Sequence, residues 1–360
     1  MNRITHPAEP AMAELCLKLG EMSEKLETPG SWPGEQLQLC AEAGVFEWFV
    51  SEEFGGQGWD DADITRGYLA LSGTCLTTTF VLTQLTGAVR RIQSSENLPL
   101  RDRMLPDLLR GEHISTLGVS HLTTSRRHLG RPAMGAVEAE DGYIIEGLSA
   151  WVTGAPFADS IVMGAEMEDG RQILVALPID LPGVRRPEAT QLVALTASLT
   201  SSVHCDGVHV LDKQVLAGPR EAVLSQGRGG AGTGGLQTTT LAIGLAESAV
   251  AFTEREAKNR KELLKPSQAL RHEVDTLQAE LLDATSGSRQ LTTAMLRARA
   301  NSLVLRATQV SLAAAKGTGY AAGHPAGRWC REALFFLVWS CPQEVIAENL
   351  CELAGVAPPS

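Results

Sequence analysis

The segment TSRRHLGR places Arg126, Arg127, His128 and Arg131 close together in an otherwise acidic chain. Arginine guanidinium groups match phosphate oxygens with two parallel hydrogen bonds, so the segment could bind a nucleotide pyrophosphate or a CoA phosphate. A solvated loop would show the same composition. We therefore predict Arg126 and Arg127 as substrate-binding candidates and keep the loop as the alternative.

A glycine-rich stretch, SQGRGGAGTGG, contains a GxGxxG pattern at Gly230, Gly232 and Gly235. In a dinucleotide-binding fold this pattern needs a strand before it and a helix that begins within it. The preceding EAVLSQ looks helical, and no alternating strand–helix pattern follows. The stretch is therefore interpreted as a loop before a helix.

The sequence does not support a serine hydrolase or a metalloenzyme. It contains no GxSxG elbow, and its seven cysteines form no CxxC pair, which argues against a disulfide framework and for a reduced cytosolic compartment. Four histidines are scattered over predicted loops and strands without the i,i+4 spacing of a metal-binding pair: His113, His121, His128 and His204.

The composition narrows the possible partners. The 360 residues are 44% hydrophobic, enough for one large or two to three ordinary domains. The net charge of −11 argues against nucleic acid as a partner, although a local cationic pocket could still bind a phosphate-bearing cofactor. The N-terminus has no apolar signal-peptide core, and the most apolar runs are shorter than a membrane span. We expect a soluble cytoplasmic protein.

The hydrophobic periodicity changes twice along the chain. From about Ala11 to Glu112 apolar residues recur at three- and four-residue spacing, which predicts helices. From Ser115 to about Leu216 short Val-, Ile- and Thr-rich runs predict strands of a small barrel or sandwich. Helical periodicity then returns. Four dipeptides predict turns in the strand region: Asp141-Gly142, Asp169-Gly170, Pro182-Gly183 and Asp206-Gly207.

The predicted fold is therefore mostly α with a central β-barrel. We predict an N-terminal helical domain at 1–113, a middle β-barrel domain at 114–216 and a C-terminal four-helix-bundle domain at 217–360. A bundle of long amphipathic helices with spare apolar faces commonly oligomerises.

Four strings, in the same order along the chain, resemble sequence motifs of the acyl-CoA dehydrogenase family. SEEFGGQG resembles the family's PEEYGG loop, and GYIIEGLSAWVTGAPFADSIVMGA resembles its "G-x-K-x-W-I-T-N…A-D" segment. VHCDGVHVLDKQVLAG is similar to "V-x-F-D-x-V-x-V-P…L-G", and KGTGYAAGHPAGRWCREA to "G-G-x-G-Y…P…R…R-D-A". The resemblance covers roughly residues 35 to 355 and implies the helix–barrel–helix fold of that family.

The resemblance implies an FAD cofactor and assigns residues to it. Trp151 and Thr153 stand where the family's tryptophan and threonine line the isoalloxazine, with the hydroxyl reaching flavin N5. Ser120 occupies the position of another flavin-ring contact. Arg260 and Gln268 resemble the pair that reaches the FAD pyrophosphate of a neighbouring subunit, although the phenylalanine of that motif is replaced by leucine and its loop is shorter.

Other positions depart from the family pattern. The loop that holds flavin and acyl-CoA in the family is here SHLTTSRRHLG, which has lost a Gly-Ser pair and gained the arginines. The family's "Q-x-x-G-G" has become Ala313…Lys316-Gly317, so the glutamine contact is lost while Gly317 remains a cofactor-binding candidate.

The largest departure concerns the catalytic base. The family's glutamate, which removes the α-proton of the thioester while hydride leaves the β-carbon, falls on Ser340. Serine without an activating partner is not a base. A second position used by some members falls at Gly234 or within two residues of it, where no acid occurs before Glu247. Glu344, about one helical turn after Ser340, is the remaining weak candidate.

Three functions stay open at this stage. The first is FAD-dependent α,β-desaturation of an acyl thioester carried by CoA or an acyl carrier protein, with a relocated base. The second is a non-catalytic partner subunit in a heteromeric acyl-CoA dehydrogenase, and the third is other flavin chemistry on the same fold. The resemblance further implies a homo- or heterotetramer and a place in lipid metabolism. The net charge and the cysteine and histidine spacing predict neither a nucleic-acid partner nor a metal.

Overall fold

The computed structural model describes residues 1–123, 132–225, 235–287 and 291–357. Helices precede and follow a group of strands, in the order the sequence predicts. The helices are α1 Pro10–Met22, α2 Gly34–Glu42, α3 Asp61–Thr74, α4 Leu76–Gln93, α5 Leu98–Arg110, α6 Ser120–Thr123, α7 Leu236–Ala257, α8 Leu264–Thr285, α9 Thr293–Ala315, α10 Pro325–Ala333 and α11 Gln343–Ala354. The strands are β1 Ser115–Gly118, β2 Met134–Ala139, β3 Gly142–Val152, β4 Ser160–Glu166, β5 Gln172–Pro178, β6 Val184–Arg185, β7 Ser201–Leu211 and β8 Val215–Arg220.

The strands form one eight-stranded sheet with the order β6-β7-β3-β2-β4-β5-β8, and β1 adds to β4 in parallel. Among the described residues no pairing joins β6 to β8, so the sheet does not close, and the closed barrel expected from the sequence is not confirmed. The last strand ends at Arg220, beyond the predicted domain boundary at 216.

The turn predicted at Asp206-Gly207 is wrong, because both residues lie inside β7. Val208 pairs with Ile145 and Cys205 pairs with Gly147, so Asp206 and Gly207 together face a single residue of β3. This is a β-bulge, and Gly207 accommodates it with a φ of 61°. An Asp-Gly pair therefore marks a bulge as well as a turn, and only the pairing partner decides which forms.

Strands β4 and β5 are buried on both faces. Ile161 and Met163 point into an apolar core that the strands share, whereas Val162 joins the larger core of the helices. The same alternation holds in β5, where Leu174 and Ala176 face the helices. Two-sided burial explains why these strands read as continuous apolar runs. None of the described helices combines the length and apolarity needed to span a membrane.

Helices α3 and α7 cross with their backbones in close contact. A Cβ atom on Gly244 would lie 2.0 Å from the Ser72 hydroxyl oxygen and 2.7 Å from the Leu69 carbonyl oxygen. A Cβ atom on Gly73 would lie 2.9 Å from the Gly244 carbonyl oxygen. The Ser248 hydroxyl donates to the Gly73 carbonyl across the same crossing. Only glycine permits this approach, which joins the N-terminal to the C-terminal helices.

Replacing Gly244 with alanine should lower the free energy of unfolding by roughly 2–3 kcal/mol, because the added methyl group overlaps backbone that cannot move aside alone. Gly135→Ala is the matched control, since its nearest neighbour would be an ordinary 3.6 Å away. Chemical denaturation of both variants measures the difference. Equal stability of the two variants would show that the crossing has room to open.

A buried carboxyl group makes a second link between the two sets of helices. Glu332 on α10 is 3% exposed, and its Oε1 accepts from the Thr77 hydroxyl of α4 at 3.5 Å. Arg328 Nε lies 3.8 Å from the same oxygen. Burial raises the pKa of Glu332 to about 7, although Arg328 opposes the shift. The protonated carboxyl is therefore favoured in the folded chain below neutral pH.

Because the folded state binds this proton more tightly than the unfolded state, stability should fall as pH rises from about 4.5 to 7. Glu332→Gln removes the titration, so its free energy of unfolding should exceed that of the unmodified chain at pH 8 by up to ~3 kcal/mol. The two should be similar near pH 4. Denaturation across this pH range provides the measurement, and a constant difference would contradict the assignment.

Candidate active site

A cavity of about 700 Å³ lies where the strand region meets the C-terminal helices. Strand β3 contributes Trp151, and α6 contributes Ser120. The segment after α10 contributes Trp339 and Ser340. Gly235, which precedes α7, and Gln237 and Thr238 in its first turn also line the cavity. Residues more than 200 positions apart in the sequence therefore line one space.

The hydroxyl oxygen of Ser120 is buried and has no hydrogen-bond partner in the described structure. A buried hydroxyl without a partner costs free energy, so such an atom at a cavity wall marks a position that a ligand can satisfy. Trp151 also lines the cavity, and 43% of its surface is exposed although tryptophan is usually well buried. These two residues fit a planar, polar-edged ring such as a flavin.

Thr153 does not line the cavity. It is 1% exposed, and its hydroxyl lies 3.1 Å from the hydroxyl of Thr200, which does line it. The Thr153 carbonyl accepts a hydrogen bond from Thr116 at 2.7 Å. The hydroxyl that the cavity offers at this position is therefore that of Thr200.

A buried arginine donates hydrogen bonds to the backbone of the loop that carries Ser340. Arg297 of α9 is fully buried, and its Nη2 donates to the carbonyls of Phe336 at 3.2 Å and Trp339 at 3.1 Å. Asn301, one turn later, donates to the Phe336 carbonyl at 3.0 Å. Burial lowers the pKa of Arg297 to about 10, which still leaves it charged at neutral pH.

This support fixes a backbone conformation that the loop would not otherwise favour. Ser340 has a φ of 45°, and Leu195 has a φ of 55°. Left-handed backbone at residues other than glycine costs about 1–2 kcal/mol and concentrates at functional sites. Both residues line the cavity.

Arg331 is the one charged side chain on the lining, and among the described residues no carboxylate lines the cavity. Its guanidinium forms an ion pair with Glu27 and donates to the Gly327 carbonyl at 3.2 Å. The candidate base Glu344 is exposed in the first turn of α11 and lies outside the lining. Within the described part of the lining, the position of the family's base is a serine and no carboxylate replaces it.

The other predicted residues lie elsewhere. Arg260 donates to the Ala314 carbonyl at the end of α9, and Gln268 and Gly317 are exposed, all three outside the cavity lining. Arg126, Arg127 and Gly234 are outside the described residues. The described residues contain no group of three or more side chains that could hold a metal ion.

The sequence did not predict several lining residues. Gln84 is one of nine polar residues in the 18-residue helix α4, so its residue type does not single it out. Arg331 was within a quoted motif but was given no role. The remaining unpredicted lining residues carry no local signal: Phe80, Leu117, Val119, Thr123, Leu192, Val193, Ala194, Leu195, Thr200, Gln237, Thr238, Leu334, Phe335, Val338 and Trp339.

Comparison with known proteins finds acyl-CoA dehydrogenases among the sequence relatives of this chain. No protein-family model matches the chain. A benzylmalonyl-CoA dehydrogenase of Aromatoleum aromaticum is 25% identical over 363 residues, which cover 91% of this chain and 92% of that protein. A mitochondrial short-chain specific acyl-CoA dehydrogenase of Rattus norvegicus is 21% identical, with 91% and 84% covered.

The structural comparison agrees with the sequence comparison. The structure of a glutaryl-coenzyme A dehydrogenase in complex with glutaryl-CoA aligns with a TM-score of 0.79 at 16% identity, covering 97% of this chain and 96% of that one. At this identity the likeness establishes the fold. The chain is therefore related in sequence to the acyl-CoA dehydrogenases and has the acyl-CoA dehydrogenase fold.

Proposed function

We propose that this chain is an FAD-dependent oxidoreductase that dehydrogenates an acyl thioester between its α- and β-carbons. The observation that carries the proposal is the cavity, where Ser120 and Trp151 meet Ser340, the position of the family's base. The relatives named above are dehydrogenases of acyl-CoA compounds, which supports the same reaction class.

In this proposal Ser120 and Trp151 hold the flavin ring, and Thr200 offers the hydroxyl beside it. When bound, the flavin supplies a two-electron acceptor for the hydride that leaves the β-carbon. The residues on the opposite wall surround the acyl group. Phe80, Phe335 and Trp339 pack around one another with centroid distances of 4.8 to 5.3 Å and give this wall an aromatic surface.

The remaining assignments belong to the same proposal. Arg260, Gln268 and Gly317 lie on a surface apart from the cavity, which suits contact with the cofactor of a neighbouring subunit in a homo- or heterotetramer. Arg126 and Arg127 would bind phosphates of CoA or of an acyl carrier protein. We place the protein in the cytoplasm and in lipid metabolism.

A second candidate is a partner subunit without its own activity. The lack of any carboxylate on the described lining favours it, because a homologous subunit would then supply the base. Flavin content separates the two functions. The absorbance spectrum of the purified chain should show one FAD per chain if it acts by itself, whereas a colourless protein would eliminate that function and leave the partner subunit.

Ser120→Ala should weaken FAD binding by about tenfold while leaving the flavin-free protein at least as stable as before, because the hydroxyl has no partner there. Ser149→Ala is the matched control, since the Ser149 hydroxyl is also buried and without a partner but lies outside the cavity. Fluorescence titration with FAD measures both affinities. An equal effect of the two variants would remove Ser120 from the flavin site.

Restoring the base should restore the ordinary reaction. Ser340→Glu places a carboxylate at the cavity wall, so this variant should reduce its flavin with a saturated acyl-CoA at least 100-fold faster than the unmodified chain. Ser340→Gln has the same shape without a basic group and should remain slow. Anaerobic stopped-flow absorbance at the flavin band measures the rates, and equal rates in all three proteins would refute the assignment of Ser340 to this position.

A further inference from the structure

A second, smaller cavity of about 170 Å³ lies between the N-terminal helices and β1. It shares no described lining residue with the larger cavity that contains Ser340. Helices α2, α4 and α5 contribute to its wall, as does Ser115 at the start of β1. Trp32 before α2 and His113 before β1 also line it. The dehydrogenation proposed above makes no use of this space.

Most of the wall of the small cavity is apolar and deeply buried. Five of its residues are each at most 6% exposed: Leu37, Phe46, Leu85, Val89 and Leu108. Among the described residues no Asp, Glu, Lys or Arg side chain lines it. An apolar cavity of about 150 Å³ stays dry and binds a ligand the size of benzene. A charged ligand would lose its hydration here without gaining an ion pair, so the cavity suits an uncharged single ring.

One part of the wall is polar and is organised by a chain of hydrogen bonds. The Ser160 hydroxyl donates to the Ser115 hydroxyl oxygen at 3.1 Å. His113 Nε2 lies 2.8 Å from the same Ser160 oxygen. Because a hydroxyl has one hydrogen and Ser160 gives it to Ser115, His113 Nε2 carries the hydrogen of the other contact and donates it to Ser160. The chain therefore runs in one direction, from His113 through Ser160 to Ser115.

This direction leaves one donor and one acceptor of the lining without a partner. Ser115 is 1% exposed, and its own hydroxyl hydrogen has no acceptor among the described residues. A neutral imidazole with its hydrogen on Nε2 has a lone pair on Nδ1, and the described residues offer the Nδ1 of His113 no donor. A buried donor without a partner costs free energy. The lining therefore favours a ligand hydroxyl, which can accept from Ser115 and donate to His113.

Trp32 gives the wall a flat aromatic surface. Its indole stacks on Phe157, with ring centroids 5.0 Å apart and planes 4° from parallel. Gly154 packs so closely against the same indole that a Cβ atom there would lie 2.7 Å from Cη2 of Trp32. These two contacts hold the indole in one orientation. Aromatic rings gain from stacked or edge-to-face contact beyond the area they bury, so an aromatic ligand is favoured over an aliphatic one of the same size.

We propose that the small cavity is a binding site for an uncharged phenol, a single aromatic ring that carries one hydroxyl group. The hydroxyl binds Ser115 and His113, and the ring lies among the apolar residues beside Trp32. A phenol is neutral at pH 7, because the pKa of a phenolic hydroxyl is about 10. The proposal goes beyond the dehydrogenation and does not depend on it.

Three ligands that differ in one substituent test the proposal on the purified full-length chain: phenol, toluene and benzoate. Isothermal titration calorimetry should show one phenol bound per chain. Toluene has a methyl group in place of the hydroxyl and should bind at least tenfold more weakly, because the Ser115 donor stays without a partner. Benzoate is charged and should show no binding. No binding of phenol at millimolar concentration, or equal affinities for phenol and toluene, would overturn the proposal.

Two matched substitutions locate the bound phenol. Val89→Phe fills the small cavity and should weaken phenol binding at least tenfold. Val338→Trp adds bulk at the larger cavity, where Val338 is 78% exposed, and should leave phenol affinity unchanged. Circular dichroism checks that both variants are folded. The reverse pattern of affinities would place phenol in the larger cavity and refute the site.

A third variant tests the hydrogen bond without adding bulk to a buried position. Ser115→Ala removes the donor, so it should weaken phenol binding about fivefold while toluene binds at least as tightly as before. The comparison of the two ligands in one variant cancels any general effect of the substitution on the fold. Equal weakening of phenol and toluene by Ser115→Ala would show that the hydroxyl is not recognised there.

Discussion

The close crossing of α3 and α7 is the contact on which the arrangement of this molecule depends. At Gly73 and Gly244 the two helix backbones approach to a distance that excludes a single methyl group. The crossing sets where α7 runs, and α7 begins at the cavity with Gly235, Gln237 and Thr238. A packing requirement in the helical core therefore determines the position of a helix end that carries positive potential.

The opposite wall depends on a different kind of interaction. Arg297 and Asn301 of α9 hold the carbonyls of the loop that follows α10, and this loop presents Trp339 and Ser340 to the cavity. A buried cation is costly unless it is hydrogen-bonded, and the loop carbonyls are the acceptors that the described structure gives Arg297. The position of Ser340 at the cavity is therefore tied to a buried charge in α9.

The fold of this protein therefore does not by itself determine the chemistry of its cavity. The overall structure matches a glutaryl-coenzyme A dehydrogenase along nearly the whole chain, while the described cavity lining contains a cation and no carboxylate. A fold fixes where a substrate can lie, but the charges on the wall decide which bond can break.

The sequence by itself determined the order of elements, because helical and strand periodicities are local properties that survive without tertiary context. The ordered motifs also singled out Ser340, Ser120 and Trp151, which line the described cavity. Three features depend on tertiary contacts and cannot be read from periodicity. Asp206-Gly207 forms a bulge against β3, and β6 and β8 do not pair among the described residues. Arg331 faces the cavity, whereas Glu332 beside it is buried. Adjacent residues on a helix point in different directions, and only the packed neighbours determine which direction leads to the site.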